Sequence, residues 1–166
     1  MIASMPTLSD QLLAPERRPA VVSDACALLE SEVAHTAGLS GMALRSAYKV
    51  LQSVRPGAVP KAVDELLPAF TQQLEGYHTQ SQETGRPLAD VLCDDPGAVA
   101  DALLGVADAR VARTKRTTVR KAYKKVRGVA RRHVVAALPA AAELVDKHTA
   151  ADDAVVVPPA TDPAQA

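Results

Sequence analysis

Arg45-Ser46-Ala47-Tyr48-Lys49 returns later in the chain as Arg120-Lys121-Ala122-Tyr123-Lys124, so two of only three tyrosines stand in nearly one five-residue frame. The correspondence extends outward in the same order. Upstream, Leu8-Ser9-Asp10-Gln11-Leu12 answers Leu88-Ala89-Asp90-Val91-Leu92, and Pro19, Val22, Asp24 and Ala25 answer Pro96, Val99, Asp101 and Ala102. Downstream, Val63 faces Val134, and Leu67-Pro68-Ala69 answers Leu138-Pro139-Ala140. A unit of this size seldom buries enough apolar surface alone and is better stabilised against its twin. The expectation is an all-α helical bundle built from two sequence-related halves, about 7–84 and 87–149, with approximate internal two-fold symmetry. Gaps are needed between the matching blocks, and convergent helix patterning is the alternative.

At 166 residues the chain suits one domain, expected over 7–149, with a flexible start at 1–6 and a disordered Pro/Ala-rich tail at 150–166. Apolar residues make up 48 % and aromatics only 2 %, with no tryptophan. Alanine, a strong helix former, dominates, and small side chains let helices approach closely. Cys26 and Cys93 have no ligand-like spacing, which argues against a disulfide framework or a zinc site. The first residues lack a basic stretch followed by an apolar one, and runs such as Val134–Leu138 are far too short to span a bilayer. A cytoplasmic address is expected.

Helix signals run along the whole chain. Thr7-Leu8-Ser9-Asp10 reads as a capping box opening a short helix to about Leu13. Apolar Val22, Ala25, Cys26, Leu29 and Val33 recur at three and four, predicting a helix from Ala20 to near Gly38. A second is predicted from about Gly41 to Val54, broken at Arg55-Pro56-Gly57, and a third from near Pro60 to about Gln82, kinked at Pro68. After Gly85-Arg86-Pro87, Leu88–Cys93 repeats the short helix and Pro96–Arg113 the first long one. The Pro-Gly turn is then missing, so one long helix is predicted from Thr117 to about Lys147, bent at Pro139. No segment alternates like a strand.

Formal charge is zero, yet eleven basic residues and no acid lie between Arg110 and Arg132. On the predicted long helix Arg116, Arg120, Lys124, Arg127 and Arg131 share one arc, a cationic ridge. Such a ridge could neutralise nucleic-acid phosphates or hold another anionic partner, or it could be a solvated face balanced by carboxylates of the same molecule. Tyr48 and Tyr123, each with its Arg45/Lys49 or Arg120/Lys124 flanks, sit between the apolar and basic arcs. They read as structural anchors or as paired anion contacts.

Two Glu-x-x-His strings, Glu32 to His35 and Glu75 to His78, match half of a carboxylate-bridged di-iron site. Neither recurs in the second half, and solvent-exposed helix ends explain them better. His133 falls mid-stripe among apolar residues, where a satisfied core histidine is expected. Cys26 reads as core. Catalytic triads, glycine-rich phosphate loops and cofactor fingerprints are missing, so no enzyme, cofactor or metal is expected.

The run Pro15-Glu16-Arg17-Arg18-Pro19-Ala20-Val21-Val22, with Gly38-Leu39-Ser40-Gly41, Ala47-Tyr48-Lys49, Arg55-Pro56-Gly57-Ala58-Val59-Pro60 and Leu66-Leu67-Pro68, resembles a family of small actinobacterial proteins of unknown function over about Thr7 to His148. Where that family leads one to expect aromatics, this chain has Gly76-Tyr77-His78-Thr79. The resemblance implies a helical domain and no activity. We therefore expect a non-enzymatic helical interaction module with a protein partner, the alternative being a nucleic-acid-associated protein that touches phosphates through 110–132. Membrane-surface binding is disfavoured, because the opposite face is alanine and valine.

Overall fold

The computed structural model describes residues 5–153 and, among these, is entirely helical. Its helices are α1 (Leu8–Leu12), α2 (Arg18–His35), α3 (Gly38–Ser53), α4 (Ala58–Thr84), α5 (Leu88–Asp94), α6 (Pro96–Ala112) and α7 (Thr117–Asp153). The expected helix over 117–147 exists and continues to Asp153, so 150–153 belong to a helix and not to a tail. Residues 1–4 and 154–166, expected to be flexible and disordered, lie outside the described residues.

Local chemistry fixes the boundaries. The Thr7 hydroxyl accepts from the Asp10 amide at 3.0 Å while the Asp10 carboxylate accepts from the Thr7 amide at 3.0 Å, completing the capping box. Glu75, reaching across from α4, accepts from the next two amides, Leu8 at 2.9 Å and Ser9 at 3.3 Å. A five-residue helix would not persist alone; here its orphan donors are satisfied from both sides. Three glycines hold the left-handed conformation that punctuates the chain, with φ of 70° at Gly38, 75° at Gly57 and 68° at Gly85. Gly38 opens α3 one turn earlier than periodicity predicts, and Gly57 starts α4 at Ala58, before Pro60.

Pro68 lies inside α4 and cannot donate to the carbonyl of Asp64. Arg18 replaces that donor, its Nη2 lying 2.9 Å from the Asp64 carbonyl while its Nε pairs with the Asp64 carboxylate at 2.5 Å. The helix thereby survives its proline.

One apolar cluster joins Leu8, Leu12, Val21, Leu67, Leu74, Leu88, Leu92, Val99, Leu138, Ala142 and Val145, drawn from α1, α2, α4, α5, α6 and α7. It occupies the end of the bundle where the C-terminal portions of α4 and α7 run past α1 and α5. Asp24 of α2 closes this end, accepting from Lys147 Nζ at 2.7 Å and from the buried His148 Nε2 at 2.8 Å. The only fully buried position of α3 is Gly41, so this helix lies outside the cluster, against α2, α4 and the first part of α7. Good packing therefore belongs to one end and a looser arrangement to the other.

Gly128 sits in the interior of α7, about a third of the way along, exposed, with open space where a Cβ would stand. Gly128→Ala should stabilise by about 1 kcal/mol, because glycine in a helix interior loses more backbone entropy than alanine. A thermal midpoint raised by a few degrees is the expected readout; an unchanged or lowered one would mean that the helix is interrupted there.

Candidate binding cavity and cationic band

The cationic ridge is divided in two by the fold. Arg127 makes a two-pronged pair with Asp108 of α6, Nε to Oδ1 at 2.8 Å and Nη2 to Oδ2 at 3.0 Å. Arg131 repeats it with Asp101 at 2.7 and 3.2 Å. Arg110 is bound to Glu65 of α4, and Arg132 donates to the Ser40 hydroxyl at 3.0 Å. The other three ridge residues, Arg116, Arg120 and Lys124, are exposed, as are Arg113, Lys115, Lys121 and Lys125. None of these seven has a carboxylate within ion-pairing reach among the described residues. Intramolecular ion pairs thus take up Arg110, Arg127 and Arg131 and leave an open band over 113–125.

The paired carboxylates have a pH signature. Hydrogen bonds from Arg131 to Asp101, from Arg127 to Asp108 and from Lys147 to Asp24 are the main causes that hold these acids below the ordinary 3.8. A carboxyl whose folded pKa is depressed contributes stability above its unfolded value and loses it as pH falls through the folded one. Urea midpoints should therefore be flat from neutral pH down to about 5 and fall progressively below about 4. Asp108→Asn should flatten that acid limb. Each pair is half exposed and screened by solvent, so its individual contribution is small.

The two tyrosines are anchors of the same kind. Tyr48 donates its hydroxyl to Glu30 of α2 at 2.8 Å, and Tyr123 donates to Asp108 of α6 at 2.7 Å. Burial, reinforced by Glu30, pushes Tyr48 up to about 12, and burial with Asp108 pushes Tyr123 higher still. Both hydroxyls remain protonated donors, with no proton to give at neutral pH. Their flanks differ at the arginine: Arg45 Nη1 donates to the Thr36 carbonyl at 2.9 Å, capping the end of α2, whereas Arg120 is exposed; Lys49 and Lys124 are both exposed.

Both rings also line a cavity of about 460 Å³, which the sequence did not reveal. It lies at the loosely packed end, lined by α2, α3, α4, α6 and α7 and open to solvent at its mouth, and its wall is mainly aliphatic: Leu29, Val33, Leu51, Leu66, Val119 and Val126. Small side chains were expected to draw helices together. At this end Ala47, Ala58, Ala62, Ala107 and Ala122 instead line an unfilled space, because five helices converge there and no large side chain occupies the gap. Charged groups are confined to Arg55, Lys61, Glu65, Arg110 and Arg116. Glu65, Leu66 and Arg110 are shared with a second concavity of about 490 Å³ between α4 and α6.

Several other sequence expectations change. Glu75 and His78 were placed at a solvent-exposed helix end; instead Glu75 caps α1 and His78 is buried. His35 is exposed as expected, held by the Ser31 carbonyl at 2.7 Å. His133 was expected to be satisfied, yet its Nε2 is buried with no hydrogen-bond partner among the described residues. Cys26 is half-buried and Cys93 exposed, both free thiols, and burial raises the Cys26 pKa. Among the described residues no three His, Cys, Asp or Glu side chains converge as metal ligands, and no helix is long and apolar enough to cross a membrane.

No curated protein and no solved structure matches the chain. A family model, described as a family of unknown function (DUF6918), matches residues 8–149, a span that takes in α1 to α6 and nearly all of α7. With its capped first helix, its proline-containing α4 and its open cationic band, the chain belongs to that family of unknown function.

Proposed function

We propose that this chain is a non-enzymatic helical interaction module that holds an acidic protein partner on the exposed band over 113–125. The observation that carries this is the cluster of seven unpaired cations on and beside the start of α7. Protein is favoured over nucleic acid because the ridge is interrupted. Five cations from Arg116 to Arg131 would have spanned ~22 Å of helix, whereas Arg116, Arg120 and Lys124 cover ~12 Å. Three phosphate contacts give a salt slope of only about −3, a weak hold on a polyanion. Nucleic-acid association through the same residues is the second reading, kept by the number of cations left without carboxylates.

The module is built from two related halves. Support comes from packing: α1 and α5 each lie against both α4 and α7. The buried Leu67, Thr71 and Leu74 of α4 are matched at the same spacing by Leu138, Ala142 and Val145 of α7. Each repeated tyrosine reaches back to a carboxylate on the preceding long helix. Two free thiols support a cytoplasmic address.

Fluorescence anisotropy with poly-glutamate, duplex DNA and single-stranded RNA at two ionic strengths tests the assignment, using the chain and its Arg120→Glu/Lys121→Glu/Lys124→Glu variant. Poly-glutamate binding weakened at least ten-fold by charge reversal, with little DNA or RNA binding, is expected. Strong, steeply salt-dependent nucleic-acid binding would transfer the assignment to the second reading. No binding of any polyanion at low salt would remove both.

A further inference from the structure

We propose that the 460 Å³ cavity is a binding site for a single-chain aliphatic anion, a long-chain carboxylate being the simplest example. The volume lies within the range of small-molecule pockets, which in helical proteins form between helices. Its wall rejects polar ligand atoms. Of the three hydroxyl-bearing residues on the wall, Tyr48 and Tyr123 are committed to Glu30 and Asp108, and Thr114 accepts from the Arg116 amide at 3.4 Å beside the charged end, leaving most of the interior to aliphatic groups. An occupant must therefore be apolar over most of its length, since every unpaired polar atom placed there would lose its hydration without compensation.

The charged residues specify the remaining end. Of the four cations on the cavity, Lys61 and Arg110 are held by Glu65, while Arg55 and Arg116 are exposed and have no carboxylate in reach. Arg55 stands in the turn before α4, and Arg116 stands in the turn before α7. These two turns border the cavity and carry a net positive charge that nothing in the described structure balances. An anionic headgroup lodged between two guanidinium groups would be held by charge-assisted hydrogen bonds while its chain filled the aliphatic space. A neutral chain would leave both arginines unused, and an inorganic anion would leave the cavity empty.

A carboxylate of one chain is favoured over a docked protein helix because the wall is contributed by five helices converging from different directions. That makes a pocket walled on several sides and open to solvent at its mouth, unlike the groove between two parallel ridges that receives a helix. This site shares Arg116 with the band, but Arg120, Lys121 and Lys124, whose reversal tests the band, do not line the cavity.

Calorimetric titration of the full chain with laurate, myristate and palmitate below their aggregation concentrations, with hexadecanol and with phosphatidylglycerol vesicles tests the proposal. Saturable one-to-one binding is expected, with affinity rising about four-fold per added methylene until the cavity is filled. Hexadecanol should bind at least ten-fold more weakly than palmitate. Arg55→Glu/Arg116→Glu alters only exposed side chains and should weaken palmitate at least ten-fold while leaving hexadecanol unchanged. Ala122→Phe should block every chain, and circular dichroism on that variant separates blocking from misfolding. No saturable binding of any monomeric chain, binding to vesicles alone, or palmitate affinity indifferent to the arginine reversal would each overturn the proposal.

Discussion

Gly41→Ala should destabilise the protein by about 3 kcal/mol, lowering the thermal midpoint by roughly 10 °C. The buried Gly41 lies in the first turn of α3, where an added Cβ would fall 1.9 Å from the carbonyl oxygen of Thr36 and 2.7 Å from its carbon. Both obstacles are backbone, so no rotamer change relieves them. The chain between α2 and α3 would have to move, taking the Thr36 carbonyl away from Arg45, which donates to it at 2.9 Å. Residues sharing one contact couple energetically, which gives a second readout. Arg45→Ala should cost ~1 kcal/mol in the native background and much less once Gly41→Ala has already displaced the turn. A Gly41→Ala protein within 0.5 kcal/mol of the parent would mean that α3 does not start against Thr36.

Leu138→Ala should cost a comparable amount, about 3 kcal/mol within the range for a buried leucine. Leu138 is 1 % exposed and packs in the cluster that joins α1 and α5 to the C-terminal parts of α4 and α7. Removing its isobutyl group leaves a space that neighbouring backbones, held by caps and by the Asp24 bridge, relax into only partly. Leu67, at 8 % exposure, lies in the same cluster and precedes Pro68 as Leu138 precedes Pro139; Leu67→Ala should fall within about 1 kcal/mol of Leu138→Ala if the proposed halves are equivalent. Leu39, at 84 % exposure, is the control: Leu39→Ala should change stability by less than ~0.5 kcal/mol. Chemical denaturation of the three variants decides the matter. Equal effects at Leu39 and Leu138 would contradict the placement of the core.

Local features carried most of the architecture. The capping box at Thr7, the breaks at Pro56-Gly57 and Gly85, and the continuous apolar arc through Gly128 act over one or two turns of chain, so reading them in order located every helix. The fusion of two segments into α7 was equally legible, because it depended on the missing Pro-Gly turn. Glu75 shows where that legibility ends. Its carboxylate caps a helix 66 residues away in sequence, and no local pattern marks a glutamate on α4 as the partner of Ser9. Arg18 and the proline-freed carbonyl of Asp64 give the same lesson.

Charge and cavity follow this division. The chain's sequence by itself determined that α7 would be long and would bear a dense run of cations, since periodicity and composition are properties of one segment. Only the tertiary structure decided which cations remain available: Arg127 and Arg131 meet Asp108 and Asp101 because α6 packs along α7, while no carboxylate among the described residues lies within ion-pairing reach of Lys124. It also decided that alanines at one end of the bundle leave a space and those at the other do not. Packing is a property of several helices at once, and the volume left between them is absent from the list of residues on any one.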